Sequence, residues 1–480
     1  MAKKYDANLI VIGAGSGGLV TAYIAAAVKA KVILIEKGEM GGDCLNTGCV
    51  PSKSLIASAK FIHDLRNSRN YGIGKTSVEF DFAEIMERVQ GVIQSIAPHD
   101  SVERYTALGV EVIQGEAEIR SPHCVRVNGS DLTARSIVIA AGAEPFVPPI
   151  AGIEDIDYLT SDTIWELRAL PEKLVVLGGG PIGCELAQCF ARFGSQVTLV
   201  EMLPQILINE DAEFSDQMRE VFDREGIAVL TGHRAEKVTA EGGTRRLHCD
   251  REGTPVEIEF DQLLVAVGRA ARMEGYGLDN IRVPVSPRRT IDANEYLQAG
   301  HPSVYAVGDV VGPYQFTHAA AHQAWYAAVN SLFGTFRKFK VDYSVLPWAT
   351  YTDPEVARVG LNEKEASEKQ IPYEVTEYDI GELDRALADG HPYGKIKVLT
   401  APGKDRILGV TIISRHAGDL IAEFVLAMRH GLGLNKILGT IHAYPTWMEA
   451  NKFAAGNWKK AHAPQWALGL LEKYHRWRRH

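Results

Sequence analysis

The sequence predicts an α/β fold built on two copies of one βαβ unit, with a separate α+β region at its C-terminal end, and three observations carry that prediction. An apolar run, Leu9-Ile10-Val11-Ile12, leads into Gly13-Ala14-Gly15-Ser16-Gly17-Gly18 and an Ala-rich helical stretch; a second run, Val32-Ile33-Leu34-Ile35, then closes at Glu36. The pattern returns at Leu174-Val175-Val176-Leu177, with Gly178-Gly179-Gly180-Pro181-Ile182-Gly183, a helical stretch to Phe193, and Val197-Thr198-Leu199-Val200 closing at Glu201. From about residue 346 strands and helices alternate without a further glycine motif.

Each repeat is strand, glycine turn, helix, strand and acid, the signature of a Rossmann-like dinucleotide-binding domain. Gly13 and Gly178 permit the tight turn, Gly15 and Gly180 let backbone approach a pyrophosphate, and Gly18 and Gly183 let the helix pack on the strand. The phosphates then rest on a helix N-terminus, where free amides and the dipole favour anions. Glu36 and Glu201 stand where they accept hydrogen bonds from ribose hydroxyls. One glycine motif arises easily by chance, but two in full context do not. Two sites imply two dinucleotides, with hydride passing between them.

The chain has 480 residues, more than one hydrophobic core supports. The expected boundaries are 1–150, 151–270, 271–345 and 346–480, the first crossed through the stiff Pro145, Pro148 and Pro149. Segment 271–345 holds another apolar strand, Val304-Tyr305-Ala306-Val307, ending at Gly308-Asp309. A net charge of −9 argues against nucleic acid as a partner. The N-terminal stretch lacks the apolar core of a secretory signal, and no run approaches the ~20 apolar residues of a membrane span, so a cytoplasmic enzyme is expected.

The six cysteines are too few for a disulfide scaffold in a chain this long. Cys184 and Cys189 lie on a helical stretch and read as small buried apolar residues. Cys44 and Cys49 stand apart, in Gly41-Gly42-Asp43-Cys44-Leu45-Asn46-Thr47-Gly48-Cys49-Val50-Pro51-Ser52-Lys53. A single helical turn brings that spacing within disulfide reach, where Cα atoms lie ~5–6 Å apart. The stretch follows the first βαβ unit directly and lies on its dinucleotide face. A zinc site would need further Cys or His ligands, which do not stand nearby. A redox pair and a structural disulfide both remain.

The cysteine stretch resembles the active-site signature of the pyridine nucleotide–disulfide oxidoreductases, the family of mercuric reductase, dihydrolipoamide dehydrogenase and glutathione reductase. The resemblance covers essentially the whole chain. Ile139-Ala140-Ala141-Gly142, Val267-Gly268-Arg269, Val307-Gly308-Asp309 and Tyr351-Thr352-Asp353-Pro354-Glu355 all fall in the family's order. It implies FAD in the first unit, a nicotinamide dinucleotide in the second, return of 271–345 to the FAD domain, and homodimerisation through 346–480. By position, Gly13, Gly15, Gly18 and Glu36 would hold the ADP half of FAD and Asp309 its ribityl and phosphate side. Gly115, Ala141, Gly142 and Ala143 would line the cleft, and the helix opening at Gln315-Phe316-Thr317-His318 would aim at the flavin. Gly178, Gly180, Gly183, Glu185, Glu201 and Gly268 fall on the dinucleotide side. The resemblance makes Cys49 the thiol beside the flavin and Cys44 the one that exchanges with substrate, with Lys53 paired to Glu185 where nicotinamide meets flavin. No resident metal is implied.

Three features depart from the best-known relatives. The family's C-terminal His-Pro-Thr reads Tyr444-Pro445-Thr446 here, with Glu449 in place, so a phenol stands where an imidazole shuttles protons. His442 lies two residues earlier and would point elsewhere in an extended segment. Tyrosine at this position resembles mercuric reductase, although no cysteine follows Cys249 to hand over metal. Second, Met202-Leu203-Pro204-Gln205-Ile206-Leu207-Ile208-Asn209 offers no arginine to a ribose phosphate, so NADH is expected over NADPH. Third, Trp466, Leu470, Leu471, Tyr474 and Trp477 recur at helical spacing beside Lys473, Arg476, Arg478 and Arg479. That tail reads as a helix packing on the protein's own body or its dimer partner, ahead of one lying on a membrane. The expected activity is transfer of electrons from NAD(P)H through flavin and Cys44–Cys49 to a thiol-bound metal ion or unusual disulfide. A dihydrolipoamide dehydrogenase variant is the alternative within the class, and a slow flavin-bound redox sensor the alternative outside it.

Overall fold

The computed structural model describes residues 5–479, which divide into two compact units. One comprises the chain up to Arg66 with Ser77–Ile206 and Phe222–Asp342; the other comprises Asn67–Thr76, Leu207–Val221 and the chain from Tyr343.

The first unit is organised on a seven-stranded sheet. Strand β1 (Ala7–Ile12) pairs in parallel with β2 (Val32–Glu36), and β2 with β3 (Val110–Gln114). On its other side β1 pairs with Ser130–Ile139, which takes Val304–Ala306 as a further parallel neighbour. Successive side chains point to opposite faces, and both faces are covered, so these strands are apolar throughout. Leu9, Val11, Val32 and Leu34 pack with Leu19, Ala22 and Ala26 of helix α1 (Ser16–Ala27). Ile10, Ile12, Ile33 and Ile35 fill the opposite face with Ile119, Val125 and Ile137.

A second, five-stranded sheet is wholly parallel, in the order Ala228–Thr231, Gln196–Glu201, Lys173–Leu177, Gln262–Val265, Leu159–Thr160. It too is crossed by a helix from a glycine turn, Pro181–Phe193. The short strands Ala143–Pro145 and Arg269–Ala271 pair with each other, which brings the exits of the two sheets together.

The other unit carries a five-stranded antiparallel sheet, Pro347–Thr350, Glu355–Gly360, Ile407–Ser414, Lys395–Thr400 and Glu374–Asp379 in spatial order. Helices Ala417–Arg429 and Glu449–Ala461 cover one face through Leu420, Phe424, Ala454 and Trp458. The last helix, Gln465–Arg478, has no buried residue. Packing on the chain's own body, one of the two arrangements expected of this tail, is therefore not what forms. Among the described residues no helix is long and apolar enough to cross a membrane.

A fully buried cation stands inside this second unit. Arg358 is 1% exposed, lies 3.1 Å from Glu210 and 2.9 Å from Glu365, and stacks 4.3 Å from the Trp348 ring. Burial pushes the Glu210 carboxyl up, and Arg358 pulls it back. Arg358→Leu leaves that carboxylate buried without its counter-charge and should cost about 3–5 kcal/mol in urea unfolding. Adding Glu210→Gln should recover most of the loss, and a purely additive double variant would contradict the pairing.

Candidate functional site

The two βαβ units superimpose in their chemistry, contact for contact. Gly13 has φ +100° and Gly178 φ +113°, a region that only glycine enters without strain. The amide of Gly13 donates to the Ile35 carbonyl at 2.8 Å, and that of Gly178 to Val200 at 2.8 Å. A Cβ on Gly18 would collide with the Gly13 carbonyl oxygen, and one on Gly183 with that of Gly178. Ala14 N–H donates to Glu36 at 2.5 Å while Gly179 N–H donates to Glu201 at 2.6 Å. The second oxygen of each carboxylate accepts from the loop beyond, Gly38 N–H at 2.7 Å and Leu203 N–H at 2.8 Å. Each acid is thus clamped at the end of its strand beside its glycine turn.

These turns fit a dinucleotide. Helix α1 opens at Gly15 and Pro181–Phe193 at Gly180, both without a side-chain cap. A Cβ on Gly180 would meet nothing within 4 Å, and on Gly15 only the Gly42 backbone at 3.8 Å. Room and first-turn amides together make an anion cradle. Gly115 sits at the end of β3, its amide bonded to the Glu36 carbonyl at 2.8 Å. Ala141, Gly142 and Ala143 follow Ser130–Ile139 directly, and Gly268 lies opposite, accepting from Phe146 N–H at 3.0 Å.

The cysteines occupy two consecutive helices, α2 (Gly42–Asn46) and α3 (Cys49–Arg66). Gly41 opens α2 in the left-handed conformation, and Asn46 ties the turn by donating to the Met40 and Gly42 carbonyls at 3.0 and 2.9 Å. Cys49 is the first residue of α3, where helix dipole and free amides favour a thiolate. Both are free thiols, and they differ sharply. A hydrogen bond from the Cys44 thiol lowers Cys49 to about 6; burial opposes this, while the Thr317 hydroxyl, 3.3 Å away, and Lys53 assist it. That same bond, with burial, pushes Cys44 far up. One thiolate and one thiol is the form this arrangement favours.

Lys53, one turn into α3, lies 2.9 Å from Glu185 on Pro181–Phe193. The Glu185 side chain is 6% exposed and that of Lys53 38%, so a buried acid holds a half-exposed cation beside the cysteines. Helix Thr317–Phe333 opens after Phe316, with Gln315 just before it and His318 stacked on Phe316 at 5.3 Å. Burial raises Asp309 to about 6 against the pull of Arg269.

Two members of this cluster escape sequence reasoning. Thr317 is visible only as part of a helix opening, yet its hydroxyl meets Cys49 across 268 positions of chain. Arg269 is visible only as part of a family motif. Its guanidinium pairs with Asp43, donates to the Ala143 carbonyl at 2.9 Å, and lies 3.7 Å from Asp162 and 4.0 Å from Asp309. The one available signal is Asp43 itself, an acid next to Cys44 that burial raises against the pull of Arg269 and Arg272.

The C-terminal residues belong to the other unit. Tyr444 is exposed and donates to Asp384 at 3.0 Å, which raises the phenol further. His442 has both ring nitrogens engaged, 3.0 Å from Glu423 and 3.0 Å from the Thr440 carbonyl. Glu449 is buried and accepts from Thr446 N–H at 3.3 Å.

Alkylation of Cys49 as a function of pH reads the thiol assignment. In Cys44→Ser, whose hydroxyl still donates, labelling by iodoacetamide should titrate near pH 6, the value set in the native pair. In Cys44→Ala with Thr317→Val the midpoint should climb toward that of an ordinary thiol, since lost donors destabilise the thiolate. Equal midpoints would contradict the hydrogen-bond account.

Comparison with known proteins matches this geometry. The sequence profile of the pyridine nucleotide-disulphide oxidoreductases matches residues 7–324, and that of their dimerisation domain residues 346–455. A mercuric reductase of Bacillus cereus is 33% identical over 451 residues, covering 94% of this chain and 71% of that protein. A dihydrolipoyl dehydrogenase of Thermus scotoductus is 36% identical over 463 residues, 94% of this chain and 97% of that protein. Among solved structures, the Cu(II) complex of the HOCl-induced flavoprotein disulfide reductase RclA from Escherichia coli aligns with a TM-score of 0.84 at 25% identity, over 95% of this chain and 99% of that one. With its paired glycine turns, its two thiols of opposite acidity and its terminal sheet, the chain belongs to the FAD-dependent pyridine nucleotide-disulphide oxidoreductases.

Proposed function

We propose that the chain oxidises NADH and passes two electrons through Cys49 and Cys44 to a thiol-bound metal ion. FAD, when bound, supplies the step that turns a hydride from the dinucleotide into reduction of the Cys44–Cys49 disulfide. Gly13, Gly15, Gly18 and Glu36 would hold its ADP half, Gly115, Ala141, Gly142 and Ala143 its cleft, and Asp309, Gln315 and His318 its far side. The dinucleotide falls to Gly178, Gly180, Gly183, Glu201 and Gly268. Lys53 supplies a fixed positive charge next to the thiols, and Glu185 keeps it in place. Cys44 keeps its proton while Cys49 gives its up, so a soft metal ion would meet one thiolate and displace one proton on binding the other.

The observation that carries the choice of acceptor is the state of the C-terminal proton donors. A disulfide acceptor needs a proton at the departing sulfur, and a metal ion held by thiolates does not. Tyr444 donates to Asp384, which raises its phenol further from neutral pH, and His442 is held between Glu423 and the Thr440 carbonyl rather than standing at the Tyr444 position. Mercuric reductases among the relatives and a copper-complexed structural neighbour support this reading. The dihydrolipoamide dehydrogenase reading rests on similar identity, 35–36%. Glu201 supports NADH: its carboxylate is clamped at the strand end, and it would repel a ribose phosphate.

Turnover of the FAD-loaded protein with NADH decides between acceptors. Mercuric or cupric ion, offered with excess thiol, should be reduced at least about tenfold faster than lipoamide; the reverse order would establish the dihydrolipoamide reading. Tyr444→His should raise lipoamide turnover by roughly 100-fold, the lower range of general acid–base catalysis, and leave metal-ion turnover nearly unchanged. In the same assay NADPH should be the poorer donor, and Glu201→Gln should narrow the gap.

A further inference from the structure

We propose that the helix Gln465–Arg478 is a docking element for an anionic lipid surface. Trp466, Leu470, Tyr474 and Trp477 follow one another at intervals of four, four and three residues, which places them on a single stripe of the helix. They are 74%, 57%, 47% and 71% exposed, and Leu471 beside them is 50% exposed. No residue of the helix is buried. Aromatic surface of this size in water forfeits a large share of the gain that burial would bring.

Charge selects the occupant. Between Gln465 and Arg479 the cations Lys473, Arg476, Arg478 and Arg479 face a single acid, Glu472, in a chain whose net charge is −9. Glu472 pairs with Arg476 at 2.9 Å, one turn apart, and Arg478 reaches the Tyr474 hydroxyl at 3.3 Å. Basic charge is therefore gathered on a segment whose apolar stripe is uncovered, while the acidic remainder is repelled by an anionic bilayer. Tryptophan and tyrosine rings sit at headgroup level with long-stemmed cations reaching past them to phosphate, the composition of an interfacial helix. The family's dimerisation profile ends at residue 455, ahead of this helix, so the stripe lies beyond the segment through which the family pairs.

Sedimentation of the FAD-loaded full chain with vesicles tests the proposal. The chain should pellet with phosphatidylcholine–phosphatidylglycerol vesicles at low salt, be released by high salt, and ignore pure phosphatidylcholine. Neutralising Lys473, Arg476 and Arg478 together to Gln should weaken binding roughly 100-fold. Trp466→Ala with Trp477→Ala should also release it, with NADH oxidation by the soluble protein unchanged in either variant. No vesicle binding by the full chain would overturn the proposal, as would equal binding by a chain ending at Pro464. So would conversion of a dimer to monomers by the double Trp variant in sedimentation velocity, since the stripe would then belong to a second copy.

Discussion

At Gly13 and again at Gly178 a helix starts so close to the strand before it that a single methyl group would break the contact. That approach sets everything downstream. It aims the first-turn amides of each helix outward, leaves a carboxylate at the next strand end to clamp the loop, and fixes where a dinucleotide must lie. In the first copy the chain then runs from the clamped Glu36 into Gly41, whose amide donates to the Ala14 carbonyl, and Gly42, which packs against Gly15, so the cysteine helices are anchored to the cradle itself. A turn mounted this way has little freedom to drift from the cradle.

Much of this architecture is legible from local pattern. Strands covered on both faces show as unbroken apolar runs, and the two units repeat at the level of individual residues. The cysteine stretch is equally plain, because few chemistries need that spacing beside a glycine turn. What stays hidden depends on sequence separation. Thr317 and Arg269 reach the cysteine turn only after two sheets have formed and brought their ends together through Ala143–Pro145 and Arg269–Ala271. No periodicity reports such a meeting. The exposure of the last helix is hidden for the opposite reason: an amphipathic pattern states that a face wants cover without stating what covers it.

In the terminal unit a phenol, Tyr444, stands where the sequence resemblance leads one to expect a histidine. Glu449 and the helix it opens follow that position closely. The phenol takes a carboxylate partner, Asp384, and the nearest imidazole is held from both sides. A hydrogen-bonded tyrosine of raised pKa still orients a ligand through its hydroxyl, but it does not exchange protons at neutral pH.

Thiol acidity sets Cys49 apart from Cys44 and from the three buried cysteines. Burial pushes Cys184 up, Cys189 to about 12 and Cys249 to about 11, so these three sulfurs favour the less reactive thiol form. An oxidant arriving at this surface would meet the most acidic of these sulfurs at Cys49, with the Cys44 thiol hydrogen-bonded to it. Oxidation there would stop at a Cys44–Cys49 disulfide, which reducing equivalents return to the two thiols. On the proposed function, the electrons that serve the acceptor would also undo oxidation of this pair, so an oxidant would cost the protein reducing equivalents rather than its thiols.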